Sequence, residues 1–312
     1  LFPYTTLFRS KFIAAPGFFL FGFFIARFML FERYTPLGLS VFAAFSFSLY
    51  GFSVMLGSLL GMVSIINDPV SIQLLSASLI VVGIRILFGS IKDFGDFKFF
   101  EPLLSFSIFL TTGLASMIGK FSAFSDYIIL IFESILSFFG VILFKKAEEG
   151  LKKTGSRVLS PLIKASILIS GALLLLSVSQ VNILGISPGR ITALLIVIMA
   201  GYSTGILGGT TVGTILGAAY ALQDSSLISL SLAMSFGGFI SGIAARGKKT
   251  YAAVLFALSF GGALYYLGNT GYFYHIAEGV ISSLIFILIK TTLLNKLSDL
   301  ILGLIKKMLD NP

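Results

Sequence analysis

Long windows of apolar residues, interrupted by few charges and joined by short connections, recur along nearly the whole 312-residue chain. A helix needs about 20 such residues to cross a hydrocarbon core of roughly 30 Å. Windows of that kind lie at roughly 11–31, 38–64, 69–90, 99–119, 126–144, 162–184, 190–222, 226–245, 249–268 and 275–292. They predict an all-α, polytopic integral membrane bundle of about ten transmembrane helices, ten or eleven by count. Charged residues make up 11% of the chain, against about 25% in soluble domains, and the mean hydropathy is +1.02. A water-soluble globular domain is excluded, and no soluble catalytic domain fits between the windows.

Lys and Arg number 22 against 13 Asp and Glu. In a chain this apolar the excess belongs to loops beside anionic lipid and not to nucleic acid. The basic clusters are the loop Lys145 to Lys164, the turn holding Arg246, Lys248 and Lys249, and the stretch from Lys290 through Lys307. The positive-inside bias assigns all three to the cytoplasm. Three windows between the first and second clusters conflict with that assignment. The window 190–222 would make a helix of about 50 Å, so a break near Gly208-Gly209 into two short passes removes the conflict. Gly201, Gly205, Gly209, Gly213 and Gly217 recur every fourth residue and form one ridge if the helix is continuous, so the count and the side of the N-terminus stay open.

Small residues at this spacing let helix backbones approach closely in lipid, where apolar faces have no hydrophobic reason to associate. The stripe therefore reads as packing within the bundle or, alternatively, self-association through the same face. Gly238 and Gly242 repeat the spacing, as do Gly57 and Gly61. Ionisable residues within the windows cost a few kcal/mol at mid-membrane and require pairing, snorkelling or a pathway. Four stand out: Arg27, Arg85, Glu133 and Glu278. Arg27 and Arg85 have reach to snorkel, Arg85 towards Lys92; Glu278 is within a turn of its window's start beside His275, and Glu133 is the deep one.

No catalytic constellation emerges. With no Cys and one His, thiolate chemistry and a multi-histidine metal site are excluded. The aspartates are scattered among turns, and neither a phosphate loop nor a nucleophile elbow is present. No catalytic, cofactor-binding or metal-binding residue is therefore assigned.

The two ends read differently from the middle. Leu1 to Ser10, LFPYTTLFRS, resembles the translation of a sequencing adaptor and is set aside as a non-native segment. The polytopic domain is then 11–292. Residues 293–312 read as a basic amphipathic helix lying at the cytoplasmic interface, at the start of a cytosolic region that continues beyond it.

One family resemblance organises these features. The stretch Ile191 to Leu267, with GTTVGTILGAAYAL followed by LSLAMSFGGFISGIAARGKKTYAAVLFALSFGGALYYLG, resembles the membrane region of stage II sporulation protein E. So do GFFIARFMLFERYTPLGLSVFAAF, with Arg27 and the Pro36-Leu37-Gly38 turn, and the acidic positions Glu133 and Glu278. The resemblance spans roughly 12–305; Ser160-Pro161 and Arg246-Gly247 depart from it where the family is more acidic. It implies a bacterial, endospore-forming source and a parent in which the membrane region precedes a manganese-dependent serine phosphatase. In that family the membrane part directs the enzyme to the polar division septum, supporting forespore sigma factor activation, and neighbouring cytosolic sequence helps it associate with the division machinery. The expected function is a non-catalytic anchor and localisation module partnered with the bilayer. A self-contained secondary transporter is the alternative, and an intramembrane enzyme is the least supported.

Overall fold

The structure is a computed structural model; it describes residues 3–31, 33–88, 99–118, 123–152, 160–267 and 272–290, with the side chains of 3–14, 69 and 246 left aside. The predicted amphipathic helix at 293–312 lies outside the described residues. Among the described residues the fold is helical apart from turns and one pair of two-residue strands, β1 (Met29–Leu30) and β2 (Arg33–Tyr34). Among the described residues, seven helices are long and apolar enough to cross a membrane, and three apolar ones are shorter. The residues form two compact units, bounded by Leu1–Met29 with Arg33–Leu174 and by Leu30–Glu32 with Leu175–Pro312.

The first unit holds α1 (Pro3–Ala26), α2 (Leu37–Ala44), α3 (Leu49–Val63), α4 (Pro69–Phe88), α5 (Phe100–Met117), α6 (Phe124–Lys152) and most of α7 (Pro161–Val178). Helix α1 begins inside the segment that the sequence reading sets aside. The window 38–64, read as one span, is two helices. Chain direction changes at Phe45, which is extended at ψ 136°, and Ser48 caps α3 by accepting from the Gly51 amide. All eight residues of α2 are buried, so this short helix is the axle of the unit. The span Lys145 to Lys152, expected as loop, continues α6. Lys146 pairs with Glu149 and Lys152 with Glu148, each at 2.9 Å, and pairs three and four residues apart support a helix.

The packing departs from the soluble pattern by burying serines beside an apolar core and turning large apolar side chains outward. Serines lie inside: Ser40, Ser105 and Ser137 are fully buried. Ser105 and Ser137 hydroxyls are 2.6 Å apart, and Ser40 Oγ donates to the Ser137 carbonyl at 3.0 Å, joining α2, α5 and α6. Large apolar side chains point outward, with Leu79 65% and Leu87 69% exposed. A helix apolar all round belongs in lipid. Helices α1 and α3 meet through glycine, since a Cβ on Gly22 would strike the Val54 carbonyl oxygen and one on Gly57 that of Phe19.

The second unit holds the end of α7, α8 (Pro188–Gln223), α9 (Ile228–Ile243), α10 (Lys249–Leu267) and α11 (Tyr272–Leu288). Helix α8 is nominally 36 residues long but breaks at Gly205, where φ is 75° and ψ −159°. This backbone is open to glycine and strained for any residue with a Cβ. The legs 188–204 and 206–223 fold back on each other: Tyr220 Oη donates to the Gly189 carbonyl at 3.3 Å, although 31 residues of straight helix would separate them by about 46 Å. Each leg is about 25 Å long. The expected break is present, at Gly205, three residues before Gly208.

Candidate functional site: a buried ion pair and a glycine hairpin

The second unit has two chemically different ends. At one, the turn 183–186 feeds α8. The Ile183 and Ile186 amides donate to each other's carbonyls at 2.9 and 3.0 Å, and Leu184 and Gly185 between them have φ of 55° and 84°, the geometry of a tight hairpin turn. A Cβ on Gly185 would stand 2.6 Å from the Tyr274 ring, so glycine lets the turn lie flat on the start of α11. Ser187 then caps α8; its hydroxyl accepts from the Arg190 amide at 3.4 Å and donates to the Ser179 carbonyl at 2.7 Å. Pro188 occupies the first helical turn, where its missing N–H costs nothing.

This local order delivers Arg190 to Glu278 of α11. The Arg190 Nε lies 3.0 and 2.9 Å from the two carboxylate oxygens, and Nη2 lies 2.8 Å from Oε1. The Ser187 amide donates to Oε1 at 2.7 Å, and His275 Nδ1 is 3.1 Å from Oε2. Arg190 Nη2 also donates to Asn182 Oδ1 at 3.1 Å. Glu278 is 0% exposed, His275 8% and Arg190 9%. The carboxylate thus receives two guanidinium nitrogens, one backbone amide at a helix N-terminus and one imidazole contact, which occupies the roughly four acceptor sites of a carboxylate. The helix dipole adds a favourable field for the negative charge. One turn further along α11, Ser282 Oγ donates to the Ile191 carbonyl at 2.9 Å. Chemically the cluster clamps α11 to the first leg of α8 through Glu278.

The other end carries the basic turn. Lys249 Nζ donates to the carbonyls of Ile287 and Ile289 at 2.5 and 2.8 Å, satisfying the last acceptors of α11 as a cation at a helix C-terminus does. Lys248 is exposed, and Arg246 closes the 3₁₀ turn Ala244–Arg246. Of the predicted basic turn, then, Lys249 is a helix cap.

Between the ends, the predicted glycines form two seams and one hinge instead of a single ridge, because the hinge takes Gly205 out of the helix. Gly209 and Gly238 oppose each other so closely that a Cβ on either would strike the other's carbonyl oxygen. Cβ atoms on Gly213 and Gly217 would meet the backbone of α9 at Met234 and Ser231, and one on Gly242 would meet Gly205 and Ile206. Gly201, on the first leg, faces Ser241 and the Gly238 carbonyl. All seven predicted packing glycines therefore belong to one three-strand assembly of the two legs and α9.

The other predicted charges lie in the first unit. Arg27 Nη1 donates to Ser64 Oγ at 2.7 Å, with its guanidinium 5.6 Å from the Phe23 ring centre. Arg85 Nη1 donates to the Phe42 carbonyl at 2.5 Å and lies 4.8 Å from the centre of the Phe47 ring, so it is held by α2 and its neighbour, with no reach to Lys92 required. Glu133 is half-buried on α6, and the charge acting on it is that of Arg33. Glu278, expected near the rim, is the more enclosed acid. A second acid, Glu148, accepts from Ser46 Oγ at 2.6 Å while pairing with Lys152.

Sequence reading missed Arg190, Ser187 and Asn182. The available signal was Ser-Pro-Gly-Arg, a helix-start pattern carrying an arginine into an otherwise uncharged window. Among the described residues, no group of three or more His, Asp or Glu side chains is placed to hold a metal. Comparison with protein-family models, with curated proteins and with solved structures yields no match.

Proposed function

We propose that the chain is a non-catalytic, multi-pass membrane anchor that localises and assembles a partner activity. By its resemblance to the membrane region of stage II sporulation protein E, that activity is a manganese-dependent serine phosphatase, brought to the polar division septum through the division machinery. The observation that carries the anchor reading is Glu278. Its carboxylate is enclosed and saturated by Arg190, Ser187 and His275, which is the arrangement of a structural clamp and not of a carrier group that exchanges partners. The position of the hinge supports the same reading. Gly205 lies level with Gly242 near the end of α9, so the break is the tip of a hairpin instead of a discontinuity at mid-helix, where transporters place their sites.

The hinge also bears on topology. If each leg of α8 is a pass, four passes separate the basic end of α6 from Arg246, which agrees with the assignment of both to the cytoplasm by the positive-inside bias. In the second unit the basic turn then faces the cytosol and the ion pair the outside. The chain has no cysteine, so single substitutions read this directly. Leu184→Cys is expected to react with an impermeant maleimide on intact cells, and Lys248→Cys only after permeabilisation.

A fluorescent fusion of the chain in an endospore-forming bacterium tests the function. Recruitment to the polar septum is expected, with Glu278→Gln lowering abundance. Uniform membrane distribution together with solute uptake that is lost in Glu133→Gln at normal abundance would establish the transporter reading instead. That second reading is favoured by Glu133 alone, which makes no hydrogen bond or ion pair among the described residues.

A further inference from the structure

The first unit contains a groove of about 310 Å³ whose wall includes Phe18, Phe21 and Phe45, with Gly17 and Gly171 opening it on α1 and α7. A Cβ added at Gly17 or Gly171 would meet no atom within 4 Å, so these two glycines border space, unlike the seam glycines that touch backbone. The volume is that of a small ligand pocket, and the lining is apolar with one exception. Ser170 lines the groove, is 5% exposed, and its Oγ has no hydrogen-bond partner among the described residues. A serine in a membrane helix ordinarily donates to the carbonyl one turn back, as Ser78 does to Leu74; a buried hydroxyl left unpaired is costly. That cost is relieved when the Ser170 side chain turns toward the groove and meets an acceptor there.

Charge on the helices that line the groove narrows the kind of molecule. Ala147 and Leu151 of α6 line it, and the charges beside them cancel in pairs, Lys146 with Glu149 and Lys152 with Glu148. Lys164 does not pair among the described residues. It precedes the liners Ile167, Gly171 and Leu174 by three, seven and ten residues, the spacing of one helix stripe. A cation at the head of an apolar stripe, with an unsatisfied donor further in, matches the order of groups in a phospholipid: phosphate, ester carbonyl, acyl chain. We propose that this groove binds an anionic glycerophospholipid, with one acyl chain against the phenylalanine wall, its ester carbonyl accepting from Ser170 Oγ and its phosphate on Lys164. The inference is independent of the anchor reading.

The test is native mass spectrometry of the full chain released from nanodiscs of dioleoyl phosphatidylglycerol or dioleoyl phosphatidylcholine, counting retained lipid. The unaltered chain is expected to retain one phosphatidylglycerol in preference to phosphatidylcholine. Gly171→Phe fills the groove and is expected to cut retention about tenfold while leaving the unfolding temperature unchanged. Lys164→Gln is expected to reduce the preference for phosphatidylglycerol about fivefold, the equivalent of roughly 1 kcal/mol for one lysine at an anionic surface. Ser170→Ala is expected to weaken the ester lipid about threefold and to leave an ether-linked analogue unaffected. Equal retention of the two headgroups by the unaltered chain, or full retention by a folded Gly171→Phe, overturns the proposal. Should Gly171→Phe not fold, Gly17→Leu carries the same test, because its added atoms enter the same open space.

Discussion

The two units accommodate positive charge on their apolar helices in opposite ways. In the second, Arg190 meets a full counter-charge, and both members are enclosed. In the first, Arg27 and Arg85 are held by a hydroxyl, a backbone carbonyl and two aromatic rings. The difference is one of exposure to failure. A guanidinium on a carbonyl and a ring loses one modest contact when either is altered, whereas an ion pair stripped of one member leaves an enclosed charge with nothing to neutralise it. In the first unit the two arginines are held by scattered neutral groups; in the second the arginine is held at one carboxylate.

That contrast is sharpest at Glu278. Glu278→Ala is expected to destabilise the chain by about 3–5 kcal/mol, read as loss of folded protein in a detergent unfolding titration. The double variant Arg190→Met with Glu278→Leu is expected to be more stable than either single change. If Glu278→Ala is neutral, the concentration of stability at this carboxylate is wrong.

Next come the glycine positions. Gly209→Leu is expected to cost several kcal/mol, because its side chain has only the Gly238 backbone to enter, comparable with overpacking of a core. Gly205→Ala is expected to cost about 1–3 kcal/mol through the positive φ alone, the usual range for a strained backbone position, since its Cβ meets no atom. Equal effects at the two positions would mean that seam and hinge are not distinct.

Smaller effects are expected in the first unit. Ser105→Ala removes one of several interhelical hydroxyl contacts, and membrane hydrogen bonds average about 0.6 kcal/mol, so a shift near that value is expected in the same titration. Arg27→Met is expected to cost about 0.5–1 kcal/mol, the scale of an exposed cation–π contact. A loss at Arg27 as large as that at Glu278 would erase the contrast between the units.

Hydropathy revealed the helical class and most of the windows, because enclosure by lipid requires nothing more specific than apolar length. It could not divide 38–64. No charge or Gly-Pro signal marks the change of direction at Phe45, and an enclosed helix such as α2 reads like the middle of a span. Nor could it choose among five evenly spaced glycines. Any of them tolerates a positive φ, and only the fit of the two legs against α9 selects Gly205 over Gly208-Gly209. At the end of α6 the charge content suggests a loop, while the spacing of those charges is that of helical ion pairs. Arg190 escaped notice because a charge at the edge of a window reads as an interfacial anchor. Its partner lies 88 residues further along, beyond the reach of any local pattern.

The doubled helix has a consequence for how the second unit is built. Its two legs and α9 follow one another directly, so their mutual contacts span short loops and close at little entropic cost. The guanidinium and carboxylate wait on opposite sides of all this chain. Joining them is the long-distance step, and it becomes available only when α11 has been synthesised and inserted. Of the contacts that hold the first leg, the salt bridge is thus the one that synthesis from the N-terminus makes available last.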